Sequence, residues 1–134
     1  KYQMINLYQI FIISIFAALG AVLRYVLVLI FPFNANIING VLLANVMGCF
    51  LMGILLYVVN QLAFMNETIR LGLIVGFLGS LTTFSSFGGY FFELVEGRFF
   101  TKAFLHVLVT TGLSLTSLYI GYWLISHLSS RFFN

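Results

Sequence analysis

Aspartate is absent from this sequence, and Asp and Glu together number only 3. Charged residues make up 7% of the chain, against about 25% in an ordinary soluble domain. Too little polar material remains to cover a water-facing surface. With 62% hydrophobic residues, the composition points to an integral membrane protein. The single cysteine, Cys49, excludes an intrachain disulfide and reads as a small apolar filler within a span. The six cations are scattered, so the net charge of +3 is no nucleic-acid signal. The two histidines, His106 and His127, stand far apart without metal-ligand spacing. No phosphate loop or nucleophile elbow occurs, and no base lies at membrane depth to serve the many hydroxyls. Catalysis is therefore not expected, and movement of a solute is.

Long apolar runs are abundant. They cover about residues 7–31, 38–59, 69–95 and 103–128. Each supplies the ~20 residues that cross ~30 Å of hydrocarbon. The first run reads as a span, because no small-residue cleavage site closes it and more spans follow. The connections "PFNAN", "NQLAFMNE" and "EGRFF" are short, so neighbouring spans run antiparallel. The expectation is an all-α, four-span single domain over residues 1–134. Lys1, Arg70 and Arg131 fall on one side of the membrane, Arg98 and Lys102 on the other, and Arg24 within the first span. Three against two barely biases insertion. Either another feature sets the topology, or copies insert both ways and pair antiparallel.

Two stripes of small residues predict close helix contact, within or between subunits: Gly40, Ala44 and Gly48, and Gly72, Gly76 and Ser80. The stretch "GFLGSLTTFSSFGG" (Gly76–Gly89) is poor material for an uninterrupted helix. A break there frees backbone groups that protein, water or an ion must satisfy; the plain alternative is a kink. Arg24 is a snorkelling interface residue or an electropositive vestibule anchor. Asn45 makes a helix–helix hydrogen bond or offers an amide donor to an anion. His106, Thr110, Ser114 and Ser117 share one face of the fourth span. They satisfy carbonyls of their own helix, or they form a polar track. Phe84 and Phe87 pack, or turn their electropositive ring edges to an anion.

Three segments together resemble the bacterial Fluc (CrcB) fluoride channels. They are "GAVLRY" (Gly20–Tyr25), "NVMGCFLMG" (Asn45–Gly53) and "GFLGSLTTFSSF" (Gly76–Phe87). Size and four-span layout also agree. The resemblance implies a passive channel of the bacterial inner (plasma) membrane that exports fluoride from the cytoplasm and lowers its toxicity. It implies an antiparallel dual-topology dimer with two narrow pores. A structural Na⁺ would sit at the dimer centre on the backbone carbonyls of Gly79 and Thr82, where the third span is broken. Asn45, Phe84, Phe87, Ser85, Ser86, His106, Thr110 and Ser114 would line the fluoride path, with Arg24 at the vestibule. Two positions depart from the family pattern: Tyr90 stands where a glutamate is expected, and His106 where a tyrosine opens the track. They raise the alternative of one subunit of a heterodimer, although the balanced charge favours a homodimer. A small dual-topology multidrug-type exporter is the rival, but its mechanism needs an acid in the first span, which here carries Arg24.

Overall fold

Asparagine side chains start three of the four long helical units. The computed structural model describes residues 6–61 and 65–132. Asn6 Oδ1 accepts from the Tyr8 and Gln9 amides, opening α1 (Leu7–Ile30). Phe31 leaves the helical region because Pro32 follows it, so α1 stops one residue short of the apolar run. Asn39 Oδ1 accepts from Val41 and Leu42, opening α2 (Gly40–Gln61). The Asn39 amide also donates to the carbonyls of Asn36 and Ile37, so this fully buried cap ties the α1–α2 loop together. Asn66 caps α3 (Glu67–Leu71). A π-helical stretch (Gly72–Leu78) and α4 (Gly79–Leu81) continue it. After Thr82 and Thr83 come α5 (Phe84–Glu96) and α6 (Phe100–Phe132).

Four helical units are long and apolar enough to cross a membrane: Leu7–Ile30, Gly40–Gln61, Glu67–Glu96 and Phe100–Arg131. At ~1.5 Å per residue even the 22 residues of α2 reach ~33 Å. The described residues form no strand. The helices overrun the apolar runs by up to four residues, among them the start of the third unit behind its Asn66 cap and the end of α6, where Arg131 stands in the last turn. Lys1 and part of the "NQLAFMNE" loop lie outside the described residues.

α2 runs along α6, and α1 along the π-helical stretch. The α2–α6 contact is a backbone approach. A Cβ on Gly53 would collide with the Leu118 carbonyl, and one on Gly121 with the Phe50 carbonyl. The two glycine stripes also act within the subunit: Gly48 faces the Thr82 methyl, and Gly72 and Gly76 face α1 at Ile12, Ile13 and Phe16. Ala44, Leu78 and Leu81 form a small core between α2 and the third unit, extended by Leu23, Leu27, Leu51 and Phe77. Most other large apolar side chains point outward, as lipid-facing or partner-facing surface should.

Candidate functional site

The backbone is extended at Thr82 (φ −78°, ψ 151°) and Thr83 (φ −150°, ψ 124°) between α4 and α5. Extended residues at membrane depth leave amides and carbonyls to be satisfied. Asn45 of α2 does this for Thr83. Its Oδ1 accepts from the Thr83 amide at 2.8 Å, and its Nδ2 donates to the Thr83 carbonyl at 3.2 Å. The side-chain amide thus imitates a paired strand. In a continuous helix the Thr83 amide would donate to the Gly79 carbonyl; here it is turned away. Thr82 bonds back to the Leu78 carbonyl through its amide at 3.0 Å and its hydroxyl at 2.8 Å. Thr83 Oγ1 accepts from the Ser86 amide and so caps α5.

A groove of about 300 Å³ runs beside this dipeptide, lined by Asn45, Thr83, Phe84, Phe87, Thr110 and Ser114, among others. Thr110 and Ser114 lie one turn apart on α6. Both are buried, and neither hydroxyl has a hydrogen-bond partner among the described residues. Ser117, next on that face, behaves differently: its hydroxyl donates to the carbonyls of Ser114 and Val46. The polar face therefore divides into a satisfied end and an unsatisfied row. One N–H of Asn45 is spent on Thr83, which leaves the second for the groove. Phe84 and Phe87 pair at 5.4 Å between centroids, and Phe84 is 84% exposed.

The structure brings together Asn45, Thr82, Phe84, Phe87, Thr110 and Ser114. It separates others. Ser85 and Ser86 do not line this groove; α5 begins there, and both hydroxyls turn to Thr83 Oγ1 at 3.2 Å. His106 lies beyond Phe87, which stacks on its ring at 5.0 Å. Arg24 lines a second groove, of about 350 Å³, with Tyr25, Ser86 and Tyr90. Gly79 is exposed on the outer face, one turn before the dipeptide. Cys49 is half-buried and lines the first groove, so it is not a simple filler of the core. Thr83 and Thr111 are further lining residues that spacing did not single out. Thr83 alone carried a signal, as the hydroxyl directly before an apolar helix start.

Among the described residues, then, four helical units long and apolar enough to cross a membrane enclose a groove lined by neutral donors. The family described as CrcB-like protein, Camphor Resistance (CrcB) matches residues 11–122, and the chain belongs to it. Relatives carry the name fluoride-specific ion channel FluC. The protein from Methanococcus vannielii is 36% identical over 113 residues, covering 84% of this chain and 92% of its own. That from Geobacter sulfurreducens is 37% identical over 117 residues, covering 81% and 90%. That from Methanococcus maripaludis is 34% identical over 125 residues, covering 93% and 98%.

Proposed function

We propose that this multi-pass membrane protein is a passive, fluoride-selective channel. It releases fluoride from the cytoplasm across the bacterial plasma membrane, and it acts as an antiparallel pair of copies. The observation that carries the reading is the row of buried, unpartnered hydroxyls at Thr110 and Ser114 beside the Asn45–Thr83 pair and the Phe84–Phe87 rings. Names of the relatives point the same way.

Fluoride is small and firmly hydrated, so a pore must replace water with donors at short range. Thr110 and Ser114 offer hydroxyl protons, Asn45 its second N–H, and the phenylalanines their positive edges. None of these groups is charged. Neutral donors bind the ion tightly enough to enter and loosely enough to leave. The broken third span supports the paired assembly. Phe84 borders the groove yet is 84% exposed, so one copy supplies only part of the wall. A second copy crossing at Gly79–Thr83 would supply the rest.

The same crossing fits a structural Na⁺. Carbonyl oxygen is the donor type that a small hard cation takes, and Gly79 has lost its usual amide donor to Asn45. Gly79 and Thr82 would contribute those carbonyls from each copy. When bound, the ion would neutralise the facing dipoles and hold the copies together.

Efflux from fluoride-loaded liposomes tests the reading. Reconstituted protein should release fluoride without a proton gradient and retain chloride. Release no faster than from protein-free liposomes, by folded protein, would remove the channel reading.

A further inference from the structure

His106 lies one turn before Thr110 on α6, at the end of the hydroxyl row nearest the α1–α2 loop. It is enclosed by rings. Phe87 stacks on it at 5.0 Å between centroids and 25° between planes. Phe33, from the loop, and Tyr90, from α5, flank it at 6.5 and 6.4 Å. These two are themselves stacked at 4.0 Å and 10°, so they form one continuous roof. His106 is fully buried, and neither Nδ1 nor Nε2 has a hydrogen-bond partner among the described residues.

A neutral imidazole carries one donor and one acceptor; the Phe87 backbone lies close to the ring but makes no well-aligned hydrogen bond with it, and the ring has no charged partner among the described residues. A protonated ring carries two donors and a positive charge. The stacked Phe87 ring favours such a cation, but a buried charge also needs an anion. Among the described residues no carboxylate pairs with His106. The titratable and charged groups nearby are few. Tyr90 is a neutral phenol on α5. Glu93, further along α5, is exposed. Arg24 of α1 lies across Tyr90 in the second groove. Lys102, one turn back on α6, is exposed with Nζ over the Phe99 ring at 5.1 Å. Cys49 of α2 lies beyond Thr110 in the first groove. Among the described residues the one ion pair is Arg70–Glu67, which does not involve His106.

We infer that His106 is a proton-linked anion site: it takes up a proton from bulk solvent as fluoride enters the adjoining track, and returns it as the ion leaves. The inference rests on the fluoride reading and gives it a pH dependence. Fluoride stabilises the imidazolium, so it raises the proton affinity of His106. By reciprocity, lower pH tightens fluoride binding. Tyr90 is what leaves this role open. A carboxylate at position 90, against the ring, would pair with the imidazolium itself and leave no charge for the arriving ion. With ring centroids 6.4 Å apart, Tyr90 and His106 are close enough for that pairing.

The test follows the histidine and not the flux. The protein carrying His127→Gln, at an exposed site distant from the groove, is labelled with ¹⁵N-histidine in lipid nanodiscs. The His106 ring signals are titrated with pH in sodium chloride and in sodium fluoride at equal ionic strength. The midpoint should lie higher in fluoride by about one pH unit, equivalent to about tenfold tighter fluoride binding to the protonated protein. In Tyr90→Glu the midpoint should already be raised in chloride and should no longer respond to fluoride. Equal midpoints in the two salts overturn the inference. Equal midpoints together with fluoride efflux from liposomes would do so while leaving the channel reading in place. A fluoride-dependent midpoint in protein that gives no efflux would support the site and remove the channel.

Discussion

Thr110 and Ser114 each bury a hydroxyl that the fold leaves unused. An unpaired buried hydroxyl costs about 1–3 kcal/mol, so its removal should not harm folding. Thr110→Val keeps the shape and is expected to melt at the same or a higher temperature. Its fluoride flux should fall by about tenfold or more, since ~1.4 kcal/mol of lost stabilisation is a factor of ten. Thermal melting and efflux on the same samples check both halves. Asn45 should behave in the opposite way, because the fold depends on it. Asn45→Asp keeps the acceptor for the Thr83 amide but sets a carboxylate oxygen against the Thr83 carbonyl, so melting temperature and flux should fall together. Phe84→Ile separates packing from ring chemistry most cleanly. An 84% exposed side chain contributes little to the subunit, so flux should fall while the subunit melts as before. The hydroxyl row was legible in the sequence because residues four apart fall on one face of a helix. The Asn45–Thr83 pair was not, because its partners lie 38 residues apart. Phe33 was invisible for another reason: one loop phenylalanine among 16 carries no mark of what it covers.

Helical elements were located by apolar content, and their ends were not. Hydropathy says where lipid-compatible residues begin, whereas a helix begins where a side chain takes up its first amides. Asn39 and Asn66 shift two starts for that reason. The small-residue stripes announced close contact without naming the partner element. Backbone geometry assigns α1 to Gly40, Gly72 and Gly76 and the Thr82 methyl to Gly48, while Gly53, which belongs to neither stripe, meets α6. Gly53→Ala should therefore separate α2 from α6 and lower stability by about 1–3 kcal/mol, as overpacking does. Gly112→Ala is the matched control, because nothing lies within 4 Å of the added methyl. Its subunit should melt unchanged; a change of oligomeric state on gel filtration, with melting intact, would place that face of α6 at an interface between copies.

For the whole molecule, the near-balance of charge across the two membrane faces sets the clearest expectation. Cysteine introduced at Asn134, in a Cys49→Ala background, should be labelled from both sides of the membrane in intact cells or vesicles. Labelling from one side alone would fix a single orientation and favour a heterodimer. Two lysines added to one terminus should bias insertion and lower flux. The pairing of Asn45 with Thr83 has a further consequence, for the order in which the chain enters the bilayer. Asn45 leaves the ribosome 38 residues ahead of Thr83. Its amide is thus already within the membrane when the extended dipeptide arrives, and the exposed backbone groups meet a waiting partner. Asn45→Leu would deny them that reception, and its first symptom should be a third span that fails to integrate during synthesis, before any question of conduction arises.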